Sequence, residues 1–94
     1  PGVIRLDGNY PNPFNPRTTI AFELRDPTAV RLEVFDLAGR VVRRLVEDEF
    51  LTSGRHEIPW NGRDESGLDV AGGVYLYRLE VGNYVEAKRM VLIK

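Results

Sequence analysis

The chain reads as an all-β, immunoglobulin-like antiparallel β-sandwich of about seven strands. Three observations predict it: apolar and polar residues alternate with period two, turn signals recur at short spacing, and no stretch has useful helical periodicity. Ninety-four residues make one domain. Residues 1–94 therefore form a single sandwich, with 1–17 as an extended, proline-rich lead-in and first edge segment.

The lead-in contains Asn9-Tyr10-Pro11-Asn12-Pro13-Phe14-Asn15-Pro16, with a weak first strand at Val3–Leu6. Its three prolines remove backbone donors and push the preceding residues toward extended geometry, so helix and central strand are both excluded. Phe14 plugs the sandwich edge and anchors the run. Thr18–Leu24 then puts Ile20, Phe22 and Leu24 on one face, and Val30–Asp36 does the same with Val30, Leu32 and Val34. Gly39 closes a turn. The third strand, Arg40 to about Val46, has core candidates Val42 and Leu45 three apart, which predicts a bulge. The acidic run Glu47-Asp48-Glu49 falls near its end.

Arg55–Trp60 aligns His56, Ile58 and Trp60 on one face, Trp60 as a core residue. Asn61–Asp69 is a polar turn containing Gly62 and Gly67. Gly73–Val81 is the strongest strand, and Gly82-Asn83 signals a two-residue hairpin into Tyr84–Lys94. Tyr75 follows the Asp69–Gly73 turn, where a tyrosine corner belongs.

Thirteen basic against fourteen acidic residues give a net charge of -1, which makes no electrostatic case for nucleic acid or an anionic membrane. There are no cysteines, so disulfides and thiolate metal sites are excluded. No apolar run approaches the roughly 20 residues of a membrane-spanning helix. A chain starting at Pro1 without methionine reads as an excised domain or processed fragment, with its export signal expected upstream.

Chemistry is sparse. His56, the only histidine, has Thr52, Ser53 and Asp64 as formal partners for a nucleophilic site, but its strand phase marks it as half-buried structure. Glu47 and Glu49 would converge on one face of a regular strand; a solvated acidic edge is the better reading. Asn61–Asp69 offers oxygen ligands for calcium, yet Arg63 occupies a ligand position, and a turn capped by its own Asn and Asp side chains accounts for it. No catalytic residue, metal or cofactor is assigned. Tyr10, Phe14, Phe35, Phe50 and Tyr84 are considered as a sugar-binding platform and assigned mainly to the core.

The run Asn9–Pro16 followed by Thr18-Thr19-Ile20 resembles the start of the C-terminal sorting domains (type A) of type IX secretion substrates. The likeness continues in Val34–Arg40, in Gly54-Arg55-His56 with Trp60–Asp64 and Gly67, in Gly72–Leu79, and in Lys88–Lys94. It departs where Asn61 replaces a usual aspartate and Gly72 a common serine. The pattern shades into the immunoglobulin-like domain of flagellar hook-capping proteins.

The resemblance implies a non-catalytic sorting and anchoring module on a secreted or cell-surface bacterial protein. Its partners would be an upstream cargo domain, the outer-membrane secretion machinery and a sortase-like peptidase. The family's signal maps to Lys88, Met90, Val91, Leu92, Ile93 and Lys94. Pro11, Asn12, Pro13, Phe14, Pro16, Trp60, Gly67 and Tyr75 are the structural motif. A terminal edge strand with unpaired backbone is also a natural handle for strand addition. The alternatives are a structural spacer or assembly domain, and a carbohydrate-binding accessory domain.

Overall fold

A computed structural model describes residues 2–94, seven antiparallel strands in two sheets with no helix among them. The strands are β1 (Val3–Tyr10), β2 (Thr18–Leu24), β3 (Thr28–Phe35), β4 (Val41–Leu51), β5 (Gly54–Trp60), β6 (Gly73–Val81) and β7 (Tyr84–Leu92). One sheet has the order β1-β2-β5 and the other β4-β3-β6-β7. The predicted sandwich is therefore the observed one, with its fourth strand on the second sheet.

Alternation explains the core. Ile20, Phe22 and Leu24 of β2 face Val30, Leu32 and Val34 of β3, joined by Tyr75, Tyr77, Leu79 and Val81 of β6. The β6–β7 hairpin keeps unbroken register from Val81↔Tyr84 to Gly73↔Leu92. Gly82 opens its turn with φ 57°, a conformation that suits glycine at the first central position. The tyrosine corner is present: Tyr75 donates its hydroxyl hydrogen to the Ala71 carbonyl four residues upstream, at 2.5 Å.

Three expectations are corrected. The first strand runs to Tyr10 rather than Leu6; Gly8 and two register shifts against β2 hide its alternation. The third expected strand does not stop near Val46 but continues to Leu51, so the acidic run lies inside it. Asp48 takes φ 53° there, a bulge that interrupts the alternation that would bring Glu47 and Glu49 together. Its carboxylate reaches Arg31 at 2.8 Å.

The proline run is the third. It bends instead of extending, with cis bonds at Tyr10–Pro11, Asn12–Pro13 and Asn15–Pro16. It crosses from β1 in one sheet to the edge of β7 in the other. Phe14 is only 2% exposed, its ring 5.8 Å from that of Trp60, which in turn meets Tyr75 edge-on at 5.7 Å. This is the plug expected of it, set far deeper than a lead-in.

Removing the ring should leave a cavity at the meeting of both sheets. Phe14→Ala should therefore lose about 3–5 kcal/mol, a large share of the ~5–15 kcal/mol available to a small domain. Urea denaturation checks this, and a loss near 1 kcal/mol would mean that the end of the sandwich closes without the plug.

Candidate functional site

The structural-motif residues converge on one end of the sandwich, around the end of β7. The Phe14 amide donates to the Val91 carbonyl at 2.9 Å, the Ile93 amide to the Phe14 carbonyl at 2.8 Å, and the Val91 amide to Asn12 Oδ1 at 3.0 Å. Asn12 acts as a surrogate peptide carbonyl where the prolines cannot continue a ladder. Phe14 and Leu92 form an isolated parallel bridge. The terminal edge is thus not an open handle at Val91–Ile93: the Val91 amide and carbonyl and the Ile93 amide are already taken. In the period-two ladder, the outward groups of Val85, Ala87 and Arg89 are the ones beyond the strap's reach.

Pro11 is held by Thr18, whose buried hydroxyl donates to the Pro11 carbonyl at 2.8 Å and accepts from Asn9 Nδ2 at 3.0 Å. Pro16 lies against Gly62, where an added Cβ would stand 2.9 Å from the Pro16 carbonyl oxygen and φ is 75°. Alternation places Thr18 on a strand face without showing that its hydroxyl ties back to Pro11, and Gly62 reads as part of a turn because its partner Pro16 is remote in sequence. Trp60 donates from Nε1 to the Arg63 carbonyl at 2.9 Å. Gly67 takes φ 85° in the turn closed by its own amide on the Asp64 carbonyl at 3.0 Å.

The proposed signal residues divide by side. Met90 and Leu92 point inward at 0% and 2% exposure. Lys88 and Val91 are half-buried, while Ile93 and Lys94 are exposed. Only the last four offer side chains to a partner.

The other candidates are spent locally. His56 places Nε2 2.7 Å from the Thr52 carbonyl and stacks on Phe22 at 5.5 Å. Asp64 Oδ1 accepts the Ser66 and Leu68 amides at 2.9 and 3.0 Å, and Asp69 pairs with Arg63 at 3.2 Å. No group of three His, Cys, Asp or Glu among the described residues is placed to hold a metal. The aromatics do not form one platform: Phe14 is buried, Arg78 covers Phe35 at 4.5 Å, and exposed Tyr10 and Phe50 belong to different sheets.

The outer face of the four-stranded sheet carries linked ion pairs. Glu33, nearly buried, lies between Arg44 at 3.5 Å and Arg78 at 3.4 Å, and Arg31 spans Asp48 and Glu80. On the inner side Tyr84 donates a hydrogen bond to Glu86. Burial, then the Glu86 charge, push the Tyr77 hydroxyl up to about 12.

The matching family model is that of the FlgD Ig-like domain, over residues 9–84. The chain belongs to the FlgD Ig-like domain family. This Ig-like chain matches no curated protein. Among solved structures it is similar to dimeric latent PorU of Porphyromonas gingivalis, at 26% identity and TM-score 0.75 over 98% of the chain. PorZ of the same organism, described as an essential bacterial surface component of the type IX secretion system, shares the fold at 24% identity and TM-score 0.65 over 99%. The fold recurs in the alkylpurine DNA glycosylase AlkC of Pseudomonas fluorescens, at 16% identity and TM-score 0.64 over 99%. The chain spans 9%, 12% and 30% of those three chains respectively.

The tyrosines give a pH dependence with a defined sign. Unfolded Tyr77 ionises near 10 and folded Tyr77 near 12, so above pH 10 the unfolded state holds fewer protons. Stability is intact below about 10 and should fall by about 1.4 kcal/mol per pH unit from this group until about 12. Urea melts at stepped alkaline pH test it: Tyr77→Phe should lessen the slope, leaving the part from Tyr84, which burial and Glu86 also push up to about 12, and an unchanged slope would place its origin elsewhere.

Proposed function

We propose that this FlgD Ig-like domain is a non-catalytic terminal module of a larger exported bacterial protein, serving as its sorting and anchoring handle in the type IX secretion route. The observation that carries the reading is the likeness to PorU across 98% of the chain at 26% identity. The PorZ fold is consistent with it. On this reading the protein is secreted or held at the cell surface, and its partners are the attached cargo, the outer-membrane machinery and a sortase-like peptidase.

The signal is read from side chains at the end of β7. With Val91 and Ile93 already hydrogen-bonded to the proline run, strand addition at that point would require the run to leave. Lys88, Val91, Ile93 and Lys94 remain accessible in part or whole, while Met90 and Leu92 hold the strand in the core. A second reading, a structural spacer or assembly domain of the hook-capping kind, is favoured by the family match itself. That match ends at residue 84 and so covers the sandwich without the rest of β7.

Deleting Val91–Lys94 would remove Leu92 and the partners of Phe14 as well as the signal, so surface substitutions separate the readings better. Ile93→Ser with Lys94→Gln, in a reporter fusion expressed in a type IX secreting host, should cut surface display by about tenfold or more. The thermal midpoint of the purified domain should stay within about 2 °C, as expected for exposed positions. Full display from the folded double variant would sink the sorting assignment for these residues and leave the spacer reading.

A further inference from the structure

A hollow of about 410 Å³ opens where the end of the proline run, the loop after β5 and the end of β7 meet. Asn15, Arg17, Asn61, Arg63, Asp69 and Lys94 line it. Its charge is out of keeping with the rest of the molecule. Of thirteen Lys and Arg side chains, eight are held in ion pairs, leaving Arg17, Arg25, Lys88, Arg89 and Lys94 without such a partner among the described residues. Two of those five, Arg17 and Lys94, open onto this one hollow together with Arg63. Asp69 is the single carboxylate side chain there, so two positive side-chain charges are in excess within a chain of net charge -1.

The donors are set on fixed supports. Arg17 lies between Pro16, seated against Gly62, and buried Thr18. The stem of Lys94 runs past Gly72, where an added Cβ would stand 3.0 Å from Lys94 Cγ. Arg63 gives its Nε to Asp69 at 3.2 Å, which leaves its terminal nitrogens free of that pair. Asn61 Oδ1 accepts the Arg63 amide at 3.1 Å, so the Asn61 NH₂ remains a donor. Guanidinium forks, an ammonium and amide donors around one concavity match the oxygens of a tetrahedral anion.

We infer that this hollow is a binding site for a doubly charged oxyanion, the phosphate or sulfate group of a ligand. A carboxylate would neutralise only one of the two excess charges. Lys94 belongs both to this site and to the proposed sorting signal, but the site does not depend on the sorting reading: anion binding is measured on the purified chain, sorting in a secreting host.

The test is a nuclear magnetic resonance titration of the ¹⁵N-labelled 94-residue chain at low, fixed ionic strength, where surface charge is least screened. The probes are inorganic phosphate, inorganic sulfate, glucose 1-phosphate and acetate. Side-chain amides of Asn15 and Asn61 and the Nε–H groups of Arg17 and Arg63 should shift with saturation. Phosphate or sulfate should bind at least about tenfold more tightly than acetate. Arg17→Gln with Lys94→Gln should weaken binding about tenfold, whereas Arg25→Gln with Arg89→Gln should leave it within about twofold. Tighter binding of glucose 1-phosphate would identify an ester-borne group, and equal binding the free ion. Non-saturating shifts, an equal response to acetate, or equal weakening by the distant pair would overturn the assignment.

Discussion

The seating of Phe14 between Trp60 and the end of β7 is the contact on which the other features depend. A two-sheet sandwich exposes its core wherever the sheets part, and here the chain closes that gap with a side chain from its own irregular segment. The main chain on either side must then lie against β7 without becoming another strand. Proline supplies that restriction: with no N–H it cannot extend a ladder, so pairing is confined to Phe14 and the Asn12 side chain. Thr18 and Gly62 follow from the same requirement. One ties the run to β2, and the other clears the backbone space into which Pro16 fits.

This arrangement divides the labour of β7. Its inward residues, Met90 and Leu92, are fixed by packing, and its outward main chain near Val91 is occupied by the strap. What remains exposed is a short set of side chains at the end of the strand, Ile93 and Lys94. A recognition element placed there can be read from a folded scaffold, because reading it does not require the core to open. The same geometry explains why an open-edge handle, reasonable for a terminal strand in the abstract, does not describe the end of this one near Val91.

Much of this was legible in the sequence where the causes are local. Alternation in β2, β3 and β6 located the core, Gly82-Asn83 located the hairpin, and the position of Tyr75 located its corner hydrogen bond. Legibility failed where geometry breaks the period. Gly8 in β1 and Asp48 in β4 each add a bulge, after which alternation no longer reports which face a residue takes. It failed again where partners are remote: Asn12 and Val91 lie 79 positions apart, and nothing near either residue announces the bond. The hollow beside Lys94 is the extreme case, since its cations come from three separate segments.

The distribution of charge carries the argument one step further. On the outer face of the four-stranded sheet, Glu33, Glu80 and Asp48 are matched by Arg31, Arg44 and Arg78. The exposed pairs among these add little stability individually, and together with those on buried Glu33 they leave that face with little net field to attract a ligand. At the end closed by Phe14 the balance is broken: Arg17 and Lys94 lack carboxylate partners, and Arg63 has one. Like charges gathered without counterions oppose one another, so their charges do not add to fold stability. The end of the molecule closed by Phe14 is therefore also the one where positive side chains outnumber carboxylates around a single hollow.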